Sequence, residues 1–189
     1  QMRDADVLDH YGLLTNKAVM AHGTQLNDHD YELFAKQGVA IAHCPISNVY
    51  FGNAVLPVKR VLAHHVKTGL GTDISGGYSP SLYQNIRQAV MSSRLLQDGV
   101  DNQLPTNQRG VSDSAISVKT AFYLATLGGA KSLHLQTGKI AAGYLADLQV
   151  VSLKNAFQAD DADNIFEKLM YQTSQAEIEQ VYVRGERVK

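Results

Sequence analysis

The chain has 189 residues, 44% hydrophobic and 19% charged, with 17 basic against 18 acidic side chains and a formal net charge of −1. That length suits one ordinary domain or a piece of a larger one, and the hydrophobic fraction is enough to fill a packed core. The balanced charge and a sequence pI near 6.7 give no electrostatic footprint for nucleic acid or an anionic membrane surface, so neither is expected as a partner.

In the first 75 residues a short apolar run, a polar residue at its end, a loop and an amphipathic stretch follow one another repeatedly. The first run, Ala18-Val19-Met20-Ala21, ends at His22-Gly23. Asn27 then suits a helix cap, Tyr31, Phe34 and Ala35 share one helical face, and Gly38 is a stop. The second run, Val39-Ala40-Ile41-Ala42, ends at His43-Cys44-Pro45. Pro57 suits the first turn of the next helix, with Val58, Val61, Leu62 and His65 on one face and Gly69 as its stop. The third run, Leu70-Gly71-Thr72, ends at Asp73.

Spacings of this order, near the ~30 residues of a βα unit, predict parallel strands covered by helices. In a (β/α)8 barrel, polar residues at strand C-termini face the mouth where chemistry takes place. His22, His43 and Asp73 are placed for such a mouth, and equally for the loops of an open α/β sheet.

Further on, Ser79-Pro80 predicts the start of a long helix carrying Leu82, Ile86, Ala89, Val90 and Leu96, and residues 98–112 read as a polar loop. A second helix is expected through Ile116, Val118, Phe122 and Leu124 to Gly128-Gly129. Residues 146–151 read as a strand, a helix surrounds Ile165, Phe166 and Leu169, and Val181-Tyr182-Val183 can pair with Arg187-Val188 as a hairpin. These late strands suggest a small β appendage beside a barrel. Residues 69–77 do not fit a dinucleotide-binding loop, because no helix opens on their glycines; close backbone approach to a flat ligand is the expected reason for them.

Cys44, the single cysteine, allows no intrachain disulfide and no Cys-x-x-Cys knuckle, which suits a cytoplasmic protein. Apolar runs fall far short of the roughly 20 residues of a membrane span, and the opening residues lack the progression of a signal peptide. Neutral imidazoles with a carboxylate are what a zinc or iron site takes, and a catalytic zinc needs about three protein ligands and a water. His22 and Asp73 are the better candidates, each where an apolar strand gives way to a glycine-bearing loop. His10, His29, His64, His65 and His134 are expected in surface or core roles.

Met20-Ala21-His22-Gly23, His43-Cys44-Pro45-Ile46-Ser47-Asn48 and Thr72-Asp73-Ile74-Ser75-Gly76-Gly77-Tyr78-Ser79 resemble the C-terminal half of the guanine deaminases, within the amidohydrolase superfamily. Ala125-Thr126-Leu127-Gly128-Gly129-Ala130 and the stretch from Gly138 to Leu148 resemble that superfamily's usual ending. The resemblance implies an α/β fold: the C-terminal part of a (β/α)8 barrel, strands six to eight, over residues 1–135, with 136–189 contributing to the β appendage. It implies that Asp73 ligates zinc and accepts a proton from the attacking water, while His22 hydrogen-bonds that water. Gly76, Gly77 and Tyr78 would help bind guanine, and His43 with Cys44 would stand just behind the pocket or serve packing alone. The implied reaction is zinc-dependent hydrolysis of guanine to xanthine and ammonia, in a homodimer.

The family's His-x-His on the first strand, and its histidine and glutamate near the fifth, have no counterpart in this sequence. The chain alone is therefore expected to bind zinc poorly and to catalyse nothing, since a full barrel takes about 250 residues. The alternatives are a related purine or triazine aminohydrolase, or a non-catalytic fragment acting as an interaction module.

Overall fold

The computed structural model describes residues 2–153 and 161–189; Gln1 and 154–160, which fall within the two spans expected from sequence, lie outside the described residues. A parallel sheet organises the first half: β1 (Val19–Ala21), β2 (Ala40–His43) and β3 (Lys67–Leu70), with β2 in the middle. Val19 stands opposite Ala40, and Ala40 opposite Lys67, so all three strands end on the same side.

α1 (Asp4–His10) precedes the sheet and is fastened by Arg3, whose guanidinium donates to the fully buried Asp30 at 2.6 Å. Asp30 belongs to α2 (Asp28–Gln37), which connects β1 to β2. Asn27 starts that helix as the sequence indicates: its side chain accepts from the Asp30 N–H at 3.1 Å and its own N–H donates to the Asp30 carboxylate at 2.9 Å. Gly38, at φ +72°, ends the helix and turns the chain into β2. Tyr31 and Phe34 point into the core beside Ile41, Val61 and Leu124.

Straight after β2 comes α3 (Pro45–Tyr50), with Pro45 in its first turn. Like α1 it is too short to print a 3.6-residue period on the sequence. α4 (Val58–Ala63) stops well before Gly69, at His64. Gly69 lies inside β3 instead, where a Cβ would stand 2.8 Å from the Gly129 Cα. Close packing, rather than a helix stop, explains that glycine, and the third strand ends at Leu70 rather than starting there.

α5 (Leu82–Asp98) begins after Ser81. The Ser79 hydroxyl accepts from the Ser81 N–H at 3.2 Å, so Ser79-Pro80 shape the approach to the helix and do not open it. α6 (Val118–Tyr123) is capped by Ser117, widens into a π turn over Leu124–Gly128 and continues as α7 (Gly129–Ser132). Gly128-Gly129 therefore lie within this helical run instead of ending it. Gly128 lets the run approach β3, since a Cβ there would stand 2.6 Å from the Thr68 carbonyl oxygen.

β4 (Leu148–Val151), β5 (Ile178–Val183) and β6 (Glu186–Arg187) form a second, antiparallel sheet, including the hairpin the sequence indicates. Between β4 and β5, α8 (Ala162–Gln172) packs on α5. Arg87 donates to the carbonyls of Met170 and Thr173 at 2.8 and 2.6 Å, and Phe122 meets Phe166 edge to face at 5.2 Å. The fold is thus α/β with two small sheets, and among the described residues there is no closed eight-stranded barrel. No described helix is long and apolar enough to cross a membrane.

Candidate active site

Because β1, β2 and β3 run parallel, their C-terminal ends bring His22, His43 and Asp73 to one side. The ladder continues just past the strands, with the His22 N–H donating to the Ala42 carbonyl at 2.9 Å and the Gly71 N–H to the His43 carbonyl at 2.8 Å. The chain then turns sharply. His22 takes φ +68° and Asp73 φ +48°, left-handed conformations that cost a non-glycine residue on the order of 1 kcal/mol or more and persist only where the surroundings enforce them. His22 Nε2 lies 3.8 Å from Asp73 Oδ2, and both side chains remain about one third exposed.

On its other side His22 is held by α3. Its Nδ1 is 2.8 Å from Asn48 Oδ1. Ser47, Phe51, Gly52 and Asn53 join His22 and Asp73 in lining a cleft of about 370 Å³, within the range of small-molecule sites. None of these α3 and post-α3 residues stood out as a site residue in the sequence. Pro45, beginning a helix directly after a strand, is the signal that points to them.

His43 is buried at the end of β2, and burial, reinforced by nearby His22, lowers its pKa to about 4, so it is neutral at physiological pH. Burial likewise pushes the Cys44 thiol up, with the Asp73 carboxylate adding to the effect. Its Sγ–H donates to the Ala42 carbonyl at 3.4 Å. A buried, protonated thiol is a packing group, not a nucleophile.

The loop after Asp73 folds back beneath it. The Gly77 N–H donates to the Asp73 carbonyl, and a Cβ on Gly76 would stand 2.7 Å from the Asp73 carboxylate. A Cβ on Gly71 would stand 3.0 Å from Cys44 Sγ. Contacts within the chain leave little room for a side chain at these glycines. Gly76, Gly77 and the exposed Tyr78 follow Asp73 in its loop but are not among the residues lining the cleft.

Asp73 offers a carboxylate of the type a zinc centre takes, with the His22 imidazole beside it to meet a bound water, but a zinc centre needs further ligands. Among the described residues no group of three His, Cys, Asp or Glu side chains could hold a metal. The pair therefore fits one side of such a centre. His64 is occupied by Asp28 at 3.0 Å, His29 by Asp6 at 2.8 Å and His134 by the Asn16 carbonyl, in keeping with the surface or core roles expected of them.

The amidohydrolase family model matches residues 2–188. The chain is 38% identical over 195 aligned positions to guanine deaminase of Mus musculus, covering 97% of this chain and 41% of that protein. It is 39% identical over 151 positions to a 5-methylthioadenosine/S-adenosylhomocysteine deaminase of Pyrococcus abyssi, covering 80% of this chain and 33% of that protein. Its fold is similar to the crystal structure of guanine deaminase from C. acetobutylicum with bound guanine, at a TM-score of 0.84 and 29% identity, covering 98% of this chain and 42% of that one. The chain spans about two fifths of the length of the guanine deaminases it matches.

Proposed function

The chain belongs to the amidohydrolase family, and from that we propose that it is one part of a zinc-dependent deaminase hydrolysing guanine to xanthine and ammonia. The observation that carries the reading is the His22 to Asp73 pair over an open cleft at the ends of parallel strands. On this reading β1, β2 and β3 are barrel strands six to eight within residues 1–135, and residues 136–189 belong to the appendage. The rest of the ligand set comes from a part of the protein this chain does not contain.

Zinc, when bound, supplies a water that ionises near neutral pH. Asp73 would hold the ion through its carboxylate and take the proton of the attacking water. His22 would accept a hydrogen bond from that water at Nε2 and keep it aimed at the ring carbon that carries the exocyclic amine. Water adds to that carbon, the C–N bond breaks, and the amine leaves as ammonia once it has gained a proton. Phe51 offers an apolar face to a flat base, and Ser47 and Asn53 offer polar groups to its edge. Gly76, Gly77 and Tyr78, in the loop that follows Asp73, would help bind the base beyond the cleft.

A second reading, a deaminase of another purine, has the similarity to the P. abyssi enzyme in its favour. Ammonia release from guanine, adenine, adenosine, S-adenosylhomocysteine and an amino-triazine separates the two, using the natural polypeptide that carries this chain, loaded with zinc. Preference for guanine by a factor of ten or more in kcat/KM is expected, and preference for any other member of the panel overturns the substrate assignment.

A further inference from the structure

We propose that Asn48 is a positioning residue which locks His22 in the tautomer that carries its proton on Nδ1. Asn48 is 1% exposed, and its Oδ1 lies 2.8 Å from His22 Nδ1. An amide oxygen only accepts hydrogen bonds, so the partner nitrogen must donate. The neutral imidazole then presents a lone pair at Nε2, the nitrogen that faces Asp73 and the cleft. With the opposite tautomer, Nε2 would present an N–H there and could not accept from a water.

The backbone of α3 makes Asn48 a rigid support. Its backbone is engaged at both ends: its N–H donates to the Cys44 carbonyl at 2.9 Å, and its carbonyl accepts from the Asn53 N–H at 2.8 Å. Its amide nitrogen, in contrast, is buried and has no partner among the described residues. A buried, unpaired NH2 group is unfavourable, so packing alone gives no reason for an amide at this position. The contact to His22 gives one. The contact at 2.8 Å makes Asn48 the neighbour that holds the His22 ring at Nδ1.

The catalytic consequence rests on the deaminase reading above; the tautomer does not. The test is 15N NMR of the histidine-labelled natural polypeptide in mildly alkaline buffer, without substrate. In the wild type His22 should show a protonated-type Nδ1 and a lone-pair-type Nε2. Asn48→Asp, which keeps the acceptor, should preserve that pattern, and Asn48→Leu should move the proton toward Nε2. Kinetically, Asn48→Leu should lower kcat about 10- to 100-fold, the usual effect of removing a group that orients a site residue, with KM changed less than about 3-fold, and Asn48→Asp should restore most of the loss. A wild-type spectrum with the proton on Nε2 overturns the proposal, even if Asn48→Leu fails to fold. A wild type with the expected spectrum that deaminates no purine leaves the tautomer standing and defeats the deaminase reading instead.

Discussion

His22 and Asp73 meet at 3.8 Å although β1 and β3, which deliver them, do not pair with each other; each pairs with β2, and the two side chains reach across its end. Both residues leave their strands through left-handed backbone, so the contact is built by two turns of unfavourable conformation. Replacing Asp73 by Asn keeps the shape and removes the charge. In the zinc-loaded natural polypeptide we expect Asp73→Asn to lower turnover by at least about 100-fold, as for loss of a proton acceptor. The thermal midpoint should stay close to wild type, because the carboxylate is partly exposed. Turnover near that of the wild type would remove Asp73 from the site.

His43 makes a prediction about pH. Its folded pKa is about 4 against an ordinary 6.5, so between these values the unfolded chain binds the proton that the folded chain excludes. Stability is unaffected above pH 6.5 and falls as pH drops toward 4, by up to about 3 kcal/mol when fully developed. Urea unfolding at pH 7 and pH 4.5 should show a larger loss for the wild type than for His43→Gln. Equal losses would mean that His43 titrates normally.

Gly69 tests how tightly the strand carrying Asp73 is clamped. A Cβ there would meet the Gly129 Cα at 2.8 Å and its backbone nitrogen at 3.3 Å, and neither is the end of a flexible side chain that could swing away. Gly69→Ala should destabilise by about 1–3 kcal/mol, the usual cost of overpacking, measured by denaturant midpoint. Unchanged stability would show that the β3 to α7 contact has room for a methyl group.

Much of this architecture is legible in the sequence because it depends on local chemistry. Asn27 caps α2, Gly38 stops it, and His22 and His43 mark where β1 and β2 finish, with Asp73 in the loop after β3. Where long-range packing chooses the residue, the sequence misleads. Gly69 resembles a helix stop but serves a strand pressed against a helix, and Gly128-Gly129 resemble an ending but allow a π turn to approach β3. Asn48 was out of reach for a different reason. Its meaning lies in an acceptor turned toward a histidine just past β1, and α3 is too short to signal which face it presents.

On the proposed reading, His22 and Asp73 form one side of a guanine-hydrolysing centre. The most direct measurement follows guanine loss and xanthine appearance by ultraviolet absorbance in the zinc-loaded natural polypeptide that carries this chain, with ammonia assayed in parallel. We expect one xanthine and one ammonia for each guanine consumed, and near-complete loss of both in His22→Ala. Guanine left intact under these conditions, or turnover that His22→Ala does not diminish, would contradict it.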